Sequence, residues 1–168
     1  MREWLVASGI VEGPHGLLLV QNRRRDGALD WSPPGGVVEV GDGESVVDGL
    51  TREVEEETGI RVTAWEGPVW EVEAEAPEMG WQLRVEVHRA LDFEGELRVE
   101  DPDGIVVDAV FTEPGEWADL LGPCARWVRE PLLAWLEERW GPHQHRAYVY
   151  DVLGTQRDEL RVVRTSLA

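Results

Sequence analysis

The chain has little of several things on which other classes of protein depend. It contains one cysteine, Cys124, so it cannot form an intramolecular disulfide and lacks a paired cysteine for zinc or redox chemistry. Lys and Arg total 16 against 34 Asp and Glu, a net charge of −18, which argues against broad binding to nucleic acid polymers or anionic membranes. No apolar run reaches the roughly 18 residues that a membrane helix needs. We expect a cytoplasmic protein.

The composition is nevertheless that of a folded protein. Apolar residues make up 42% of the 168 positions, and nine residues are tryptophan, too many for a disordered acidic segment. This length fits one domain of ordinary size. Apolar runs of strand length alternate with Gly and Pro in the first third of the chain, and a strongly helical segment follows. The pattern predicts a single α/β domain.

The first third is predicted to begin with two strands. Residues 5–11 and 17–21 flank a turn-rich segment and are predicted to be antiparallel neighbours. Residues 27–36, rich in Gly and Pro, are predicted to form a loop. A helix follows, beginning after Ser45 and ending at Gly59, with one apolar stripe of valine and leucine. Gly49 interrupts this helix, which close packing against a neighbouring strand would explain.

The rest of the chain adds strands, a second helix and a C-terminal hairpin. Period-two alternation predicts strands at residues 69–74 and 83–87, and an apolar run predicts another at 105–111. Apolar residues at helical spacing predict the second helix: Val128, Leu132, Trp135, Leu136 and Trp140. Residues 147–152 and 160–163 are predicted to pair. We therefore divide the chain into a domain at 1–142 and an extension at 143–168 that packs on the same domain.

The chemistry is expected on the first helix. Glu53, Glu56 and Glu57 stand at i, i+3 and i+4, so they share one face and repel each other unless a cation is bound. Oxygen ligands favour Mg²⁺ or Mn²⁺ over zinc. Arg52 is the natural partner to orient one of these carboxylates. By spacing alone, a solvated acidic helix face is an equally good interpretation.

A longer pattern surrounds these acids. Pro34, Gly35 and Gly36 precede Glu44, and residues 52–60 read Arg-Glu-Val-Glu-Glu-Glu-Thr-Gly-Ile. This resembles the signature of the Nudix hydrolase family, which is Gly, five residues, Glu, seven residues, then Arg-Glu-apolar-any-Glu-Glu-any-Gly-apolar. Every position matches from Glu44 onward, but seven residues, not five, separate Gly36 from Glu44. Asp42, at the unshifted spacing, is the alternative to Glu44.

The resemblance implies a fold and an activity. The fold is an α/β/α sandwich with a mixed sheet. The activity is that of a pyrophosphatase, which hydrolyses a nucleoside diphosphate linked to another group by metal-assisted attack of water on phosphorus, with Mg²⁺ or Mn²⁺ as cofactor. Two alternatives stay open: a housecleaning hydrolase of modified nucleoside triphosphates, and a catalytically silent module that senses a nucleotide. Family members are often dimers, so a homodimer is possible.

The resemblance also implies roles for individual residues. Glu56 and Glu57 would be the main metal ligands, Glu53 a ligand or the group that activates water, and Arg52 the group that holds a carboxylate in place. A backbone carbonyl of Gly35 or Gly36 would complete the coordination. Some relatives recruit a further acid from a later loop, for which the candidates are Glu100, Asp101 and Asp103; their alternative role is in a turn.

The substrate is expected to be a small anionic nucleotide. The one basic cluster, Arg23 to Arg25, would reach a substrate phosphate, and we name Arg23 and Arg25 as substrate-binding residues. A solvated hairpin tip is the other interpretation of this cluster. Trp31 would stack on a nucleobase, and its alternative role is packing in the core.

Overall fold

The computed structural model describes residues 1–156 and 159–167, with only the backbone at 166 and 167. Within these residues there are ten strands: β1 Arg2–Ile10, β2 Glu12–Gly13, β3 Gly16–Arg23, β4 Leu29–Ser32, β5 Gly35–Val37, β6 Arg61–Ala76, β7 Trp81–Glu94, β8 Val106–Thr112, β9 Arg146–Leu153 and β10 Arg161–Leu167. The α-helices are α1 Val46–Thr58, α2 Trp117–Leu121 and α3 Arg126–Glu138.

Two sheets organise the fold. The larger has six strands in the order β10-β9-β6-β7-β1-β5, and the smaller joins β2, β3 and β4, with β8 on the other side of β3. The larger sheet is mixed, because β1 runs parallel to β7 and β6 runs parallel to β9 while its other pairs are antiparallel. This arrangement confirms the predicted single α/β domain with a mixed sheet.

The predicted pairing of the first two strands is wrong. β1 lies between β7 and β5 in the larger sheet, whereas β3 lies in the smaller sheet. The chain changes sheets near Val11, whose carbonyl accepts a hydrogen bond from the N–H of Leu18 at 2.8 Å. The turn signal was genuine, but it closes only the two-residue strand β2 onto β3. β1 instead pairs with β7, far along the chain, over nine residue pairs.

The predicted loop at 27–36 is also more ordered than expected. It contains β4, which pairs with β3, and β5, which pairs with β1. These strands have four and three residues, and Pro33 and Pro34 separate them. Strands of three or four residues are too short for the alternation of apolar and polar residues to be recognised in the sequence. Their effect is to bring the two glycines of the motif against β1.

Helix α1 begins and ends as predicted. The Ser45 side chain accepts a hydrogen bond from the N–H of Asp48 at 3.1 Å, and Gly59 ends the helix in the left-handed conformation with φ of 79°. Leu50 and Val54 are fully buried in a core that both sheets share. Val47 is 38% exposed, so the apolar stripe is narrower than the sequence suggested. The helix is thereby fixed across the two sheets.

Helix α3 covers the larger sheet. Trp70 of β6 packs against Trp135 and Trp140, with ring centroids 6.3 and 5.8 Å apart. The indole N–H of Trp140 donates to the carbonyl of Val69 at 3.0 Å, which ties the segment after the helix to the sheet. Trp140 itself lies beyond the end of α3, because Arg139 adopts a left-handed conformation with φ of 58°.

The C-terminal strands extend the larger sheet. β9 and β10 pair antiparallel, and β9 adds to the edge of β6. Two side chains of α3 hold the last strand: Arg126 donates to the carbonyl of Val162 at 2.9 Å, and Glu130 binds Arg164 at 2.8 Å. The division into 1–142 and 143–168 stays a prediction. No helix in the described part of the chain is long and apolar enough to cross a membrane.

Candidate active site

The two glycines of the motif bring the chain into close contact with helix α1. In β5, Gly35 lies opposite Ser8 and Gly36 opposite Ala7 of β1. A Cβ on Gly35 would stand 2.1 Å from the Ala7 carbonyl oxygen, and one on Gly36 would stand 2.7 Å from the carboxyl carbon of Glu53. At Gly35 the contact is with backbone, so only glycine allows this approach, whereas a Cβ at Gly36 would displace the end of the Glu53 side chain. The loop and the helix thus meet at Gly36 and Glu53.

Arg52 binds three of the acidic side chains at once. It forms a two-pronged pair with Glu44, with Nε to Oε2 at 2.8 Å and Nη2 to Oε1 at 3.0 Å. Its Nη1 donates to Glu53 at 3.0 Å and to Glu56 at 3.2 Å. The bond to Glu44 raises the pKa of Arg52 further above its ordinary value. One guanidinium therefore holds carboxylates from the helix and from the loop before it.

Glu44, and not Asp42, makes the contact with the helix. Residues Val40–Asp42 form a single 3₁₀ turn, which Gly43 ends with φ of 77°. Asp42 is exposed on that turn, whereas Glu44 reaches Arg52 and also accepts the N–H of Glu39 at 3.1 Å. The hydrogen bond from Arg52 lowers the pKa of Glu44 to about 2. The seven residues between Gly36 and Glu44 include this turn.

The same contact explains the glycine in the middle of the helix. A Cβ on Gly49 would stand 2.7 Å from Oε1 of Glu44, and its nearest neighbours all belong to that side chain. We expected packing against a strand, but the group that needs the space is the Glu44 carboxylate. Glycine at this position costs helix stability, about 1 kcal/mol relative to alanine, and leaves room for the pair with Arg52.

Glu57 is not on a solvated face. It is only 9% exposed, and its Oε2 accepts the N–H of Gly35 at 3.2 Å. Burial raises the pKa of Glu57 to about 8; the Gly35 N–H opposes this shift, and the charges of Glu53 and Asp101 add to it. For Glu57 the interpretation as part of a solvated acidic face is wrong. Glu57 comes three residues after the buried Val54 and therefore lies on the same, inward-facing side of the helix.

Glu53 and Glu56 complete the cluster. Burial is the largest influence on Glu53 and raises its pKa, with Arg52 opposing and the charges of Glu56 and Asp103 adding to the rise. Glu56 is more open to solvent than Glu53. The three glutamates therefore lie close together, and the burial of Glu53 and Glu57 raises the pKa of both.

The later acidic loop contributes unequally. Asp101 accepts the N–H groups of Asp103, Ile105 and Val106 at 3.2, 3.0 and 2.9 Å, so it organises the loop. Glu100 is exposed and pairs with Arg98. Asp103 is exposed, lines the cavity described next, and is the loop carboxylate whose charge affects Glu53.

A cavity of about 870 Å³ opens from the carboxylates and runs between the larger sheet and α3. Six acids line it: Asp30, Glu39, Glu53, Glu57, Asp101 and Asp103. Apolar side chains form much of the remaining wall, among them Trp70, Val72, Leu83, Val85, Trp127, Leu132 and Val162. The cavity is thus acidic at one part and apolar along the sheet and helix, so an anionic group would bind at the acidic part only together with a cation.

The predicted substrate residues fare differently. Arg23 and Arg25 are exposed and outside the cavity lining, whereas Arg24 lies in it and pairs with Asp30. Trp31 packs against the core and does not line the cavity. These placements favour a solvated hairpin tip for Arg23 and Arg25 and a packing role for Trp31.

Sequence reasoning missed three polar residues of the cavity. Asn22, Asp30 and Ser32 lie side by side on β3 and β4 and line the wall with Arg24. One signal was available, since Asn22 is a polar residue two positions after the apolar run of β3. Its partners, however, come from a strand that the sequence did not reveal.

The donor chemistry fits a hard divalent cation. Glu53, Glu56 and Glu57 offer only oxygen, and a bound cation would favour the ionised form of the buried Glu57. Across residues 1–156 and 159–167, no three His, Cys, Asp or Glu side chains already surround a common point that could hold a metal. In this structure the carboxylates bind Arg52 and the Gly35 N–H instead.

Comparison with known proteins identifies the family. The NUDIX domain matches residues 3–136, and the chain therefore belongs to the Nudix family. Members of this hydrolase family generally use divalent metal ions and act on small nucleotide-type substrates. No curated protein matched the chain.

Several solved structures are similar to this chain, and some of them are named MutT or Nudix proteins. The E. coli ORF135 protein is 26% identical, with a TM-score of 0.65, over 83% of this chain and 94% of its own. A MutT Nudix hydrolase from Burkholderia pseudomallei is 26% identical, with a TM-score of 0.64, over 79% and 98%. A mutator MutT protein from Bacillus halodurans is 25% identical, with a TM-score of 0.62, over 95% and 97%.

The raised pKa of Glu57 predicts a pH dependence of stability in the absence of divalent metal. Between the ordinary pKa of 4.5 and the folded value of about 8, the folded chain holds a proton that the unfolded chain releases. The contribution of Glu57 to the free energy of unfolding is therefore largest below pH 4.5 and is lost as the pH rises to about 8. Chemical denaturation in a chelator should show a smaller loss over this window for Glu57→Gln than for wild type. Equal pH slopes for the two proteins would contradict the assignment.

The geometry of the 3₁₀ turn predicts that Glu44 and Asp42 differ in importance. Glu44→Gln removes one charge from the two-pronged pair with Arg52, so the thermal unfolding temperature should fall. Asp42→Asn, two residues away on the exposed turn, is the matched control and should leave that temperature unchanged. A protein more sensitive at Asp42 than at Glu44 would reverse the alignment of the motif.

Proposed function

We propose that the protein is a Nudix pyrophosphatase that hydrolyses a nucleoside diphosphate linked to another group, with Mg²⁺ or Mn²⁺ as cofactor. The observation that carries this proposal is the cluster of Glu53, Glu56 and Glu57 beside a cavity of about 870 Å³ with a largely apolar wall. A diphosphate is anionic and binds where positive charge is present, whereas this chain has a net charge of −18. A metal ion bound by the three carboxylates would supply the positive charge.

The residues that would hold the metal are the three glutamates, with the carbonyl oxygen of Gly36. When bound, the ion would offset the charge of the diphosphate oxygens and lower the pKa of a coordinated water. Gly36 is suited to this because it has no Cβ to keep the ligand away from the backbone. The N–H of Gly35 already fixes one oxygen of Glu57, which orients the carboxylate.

The chain's own residues would share the remaining work. Arg52 keeps the side chains of Glu53 and Glu56 in place through its Nη1. Glu53 lines the cavity between Gly36 and Arg52, where it would accept a proton from the attacking water. Asp103, exposed at the mouth and electrostatically linked to Glu53, is the alternative proton acceptor.

A second function has one observation in its favour. Several of the similar structures are named MutT proteins, and we keep hydrolysis of modified nucleoside triphosphates by the same carboxylates as the second candidate. A catalytically silent sensor is disfavoured, because a module without chemistry has no need for Glu53, Glu56 and Glu57 together with the arginine that binds two of them.

A substrate panel separates these functions. The purified protein, with Mg²⁺ or Mn²⁺, should release nucleoside monophosphate from at least one of nucleotide sugars, ADP-ribose or dinucleoside polyphosphates. A preference of ten-fold or more in kcat/KM for a modified nucleoside triphosphate, about 1.4 kcal/mol, would favour the second function. Failure on every diphosphate and triphosphate would sink the enzyme proposal and leave the sensor.

The metal assignment predicts the behaviour of two adjacent glutamates. Glu56→Gln should reduce kcat by about two orders of magnitude or more, since metal supplies several kcal/mol of transition-state stabilisation. Glu55→Gln is the matched control, because Glu55 is exposed on the same helix and outside the Arg52 network; it should keep wild-type turnover. Full activity in Glu56→Gln would show that Glu56 is not a ligand.

A further inference from the structure

One wall of the cavity carries a hydrogen-bonded network amid apolar surroundings. Asn22 is 7% exposed and follows four fully or almost fully buried apolar residues and Gln21 along β3. Its Nδ2 donates to Oδ1 of Asp30 at 3.0 Å and to Oγ of Ser32 at 2.9 Å. Asp30 in turn accepts Nε and Nη2 of Arg24 at 2.8 and 2.9 Å. All four residues line the cavity.

The network fixes the orientation of the Asn22 amide. An ionised carboxylate can only accept, so the Asn22 nitrogen must face Asp30. That nitrogen has two hydrogens, which Asp30 and Ser32 take. The group that Asn22 offers to a ligand is therefore its carbonyl Oδ1, an acceptor. Ser32 accepts from Asn22 and keeps its own hydroxyl hydrogen to donate.

The charges in this network balance. Arg24 and Asp30 form a two-pronged pair, and Asn22 and Ser32 are neutral. A site without net charge suits a neutral polar group better than a phosphate, which would be drawn to a metal beside Glu57. The apolar wall that includes Trp70 and Trp127 suits the faces of a flat ring. A nucleobase has both properties, apolar faces and a polar edge.

We propose that Asn22 and Ser32 form a subsite that reads the edge of the substrate's nucleobase. Asn22 Oδ1 accepts an N–H of the base, and the Ser32 hydroxyl donates to a neighbouring ring nitrogen or carbonyl. Arg24 and Asp30 are positioning residues, which hold the Asn22 amide in this orientation. The subsite rests on the proposed function, since it assumes that the cavity takes the nucleoside part of the substrate. It requires a base that carries an N–H.

Binding of nucleosides tests the subsite without metal, phosphate or turnover. Adenosine and inosine carry an N–H on the base, whereas purine riboside has the same ring with acceptors only. A site built to accept an N–H discriminates against the analogue that lacks it. Quenching of tryptophan fluorescence should show wild type binding adenosine or inosine about ten-fold or more tighter than purine riboside.

Variants assign the discrimination to the named side chains. Wild type should prefer adenosine or inosine to purine riboside. Asn22→Leu should bind purine riboside and that preferred nucleoside with affinities equal within about two-fold. Gln21→Leu, the neighbouring residue outside the cavity lining, is the control and should keep the wild-type ratio. Ser32→Ala gives a second reading if Asn22→Leu does not fold, as judged by circular dichroism; it should weaken binding of all three nucleosides, because each offers an acceptor.

Three outcomes would overturn the subsite: equal binding of the three nucleosides by wild type, discrimination retained in a folded Asn22→Leu variant, or no nucleoside binding at millimolar concentration. These outcomes are distinct from failure of the proposed function, which the substrate panel reports. A protein that hydrolyses diphosphates but ignores the base would refute only the subsite. One that discriminates nucleosides but hydrolyses nothing would refute only the pyrophosphatase.

Discussion

The site depends on the guanidinium of Arg52. A chain of net charge −18 places Glu44, Glu53 and Glu56 within reach of one another, and Arg52 binds all three. Ion pairs at exposed surfaces contribute little, but here the arginine is 35% exposed and its partners are more enclosed. Since Glu44 comes from the loop and the others from α1, one side chain also joins the two segments.

The glycines make the same cluster possible by leaving space. Gly36 lets the Glu53 carboxylate lie against the backbone, and Gly49 lets Glu44 lie against the helix. A methyl group at either position would collide with a carboxylate that Arg52 holds. The positions of Glu53 and Glu44 therefore depend on the two glycines, because each carboxylate lies close to a backbone segment that has no side chain.

The sequence predicts those parts of the molecule whose signals are local. The ends of α1 follow from Ser45 and Gly59, and the acidic cluster follows from spacing along a single helix. Burial of Glu57 could not be predicted in this way, because it depends on Gly35 of a strand that pairs with β1. Nor could the parallel pairing of β1 with β7, which joins residues about half the chain apart and leaves no local pattern.

The cavity shows the same limit. Three consecutive arginines are equivalent in sequence, but the hairpin of β3 and β4 turns only Arg24 toward Asp30 and the cavity. The orientation of the Asn22 amide depends on Asp30 and Ser32, which lie on the neighbouring four-residue strand β4. Pairing across a sheet decides which polar residues meet, and the strands responsible are too short to predict.

The position of β9 beside β6 has a consequence for synthesis of the chain. β9 begins at Arg146 and pairs with a strand that ends at Ala76, so β6 is made long before its outer neighbour. Until β9 arrives, the outer side of β6 presents unpaired backbone groups next to the apolar side chains of Val72 and Ala74. Such an edge is a template for pairing between chains. In growing or truncated chains that lack β9 this edge of β6 is open to another chain, whereas in the complete sheet the edge on this side is β10.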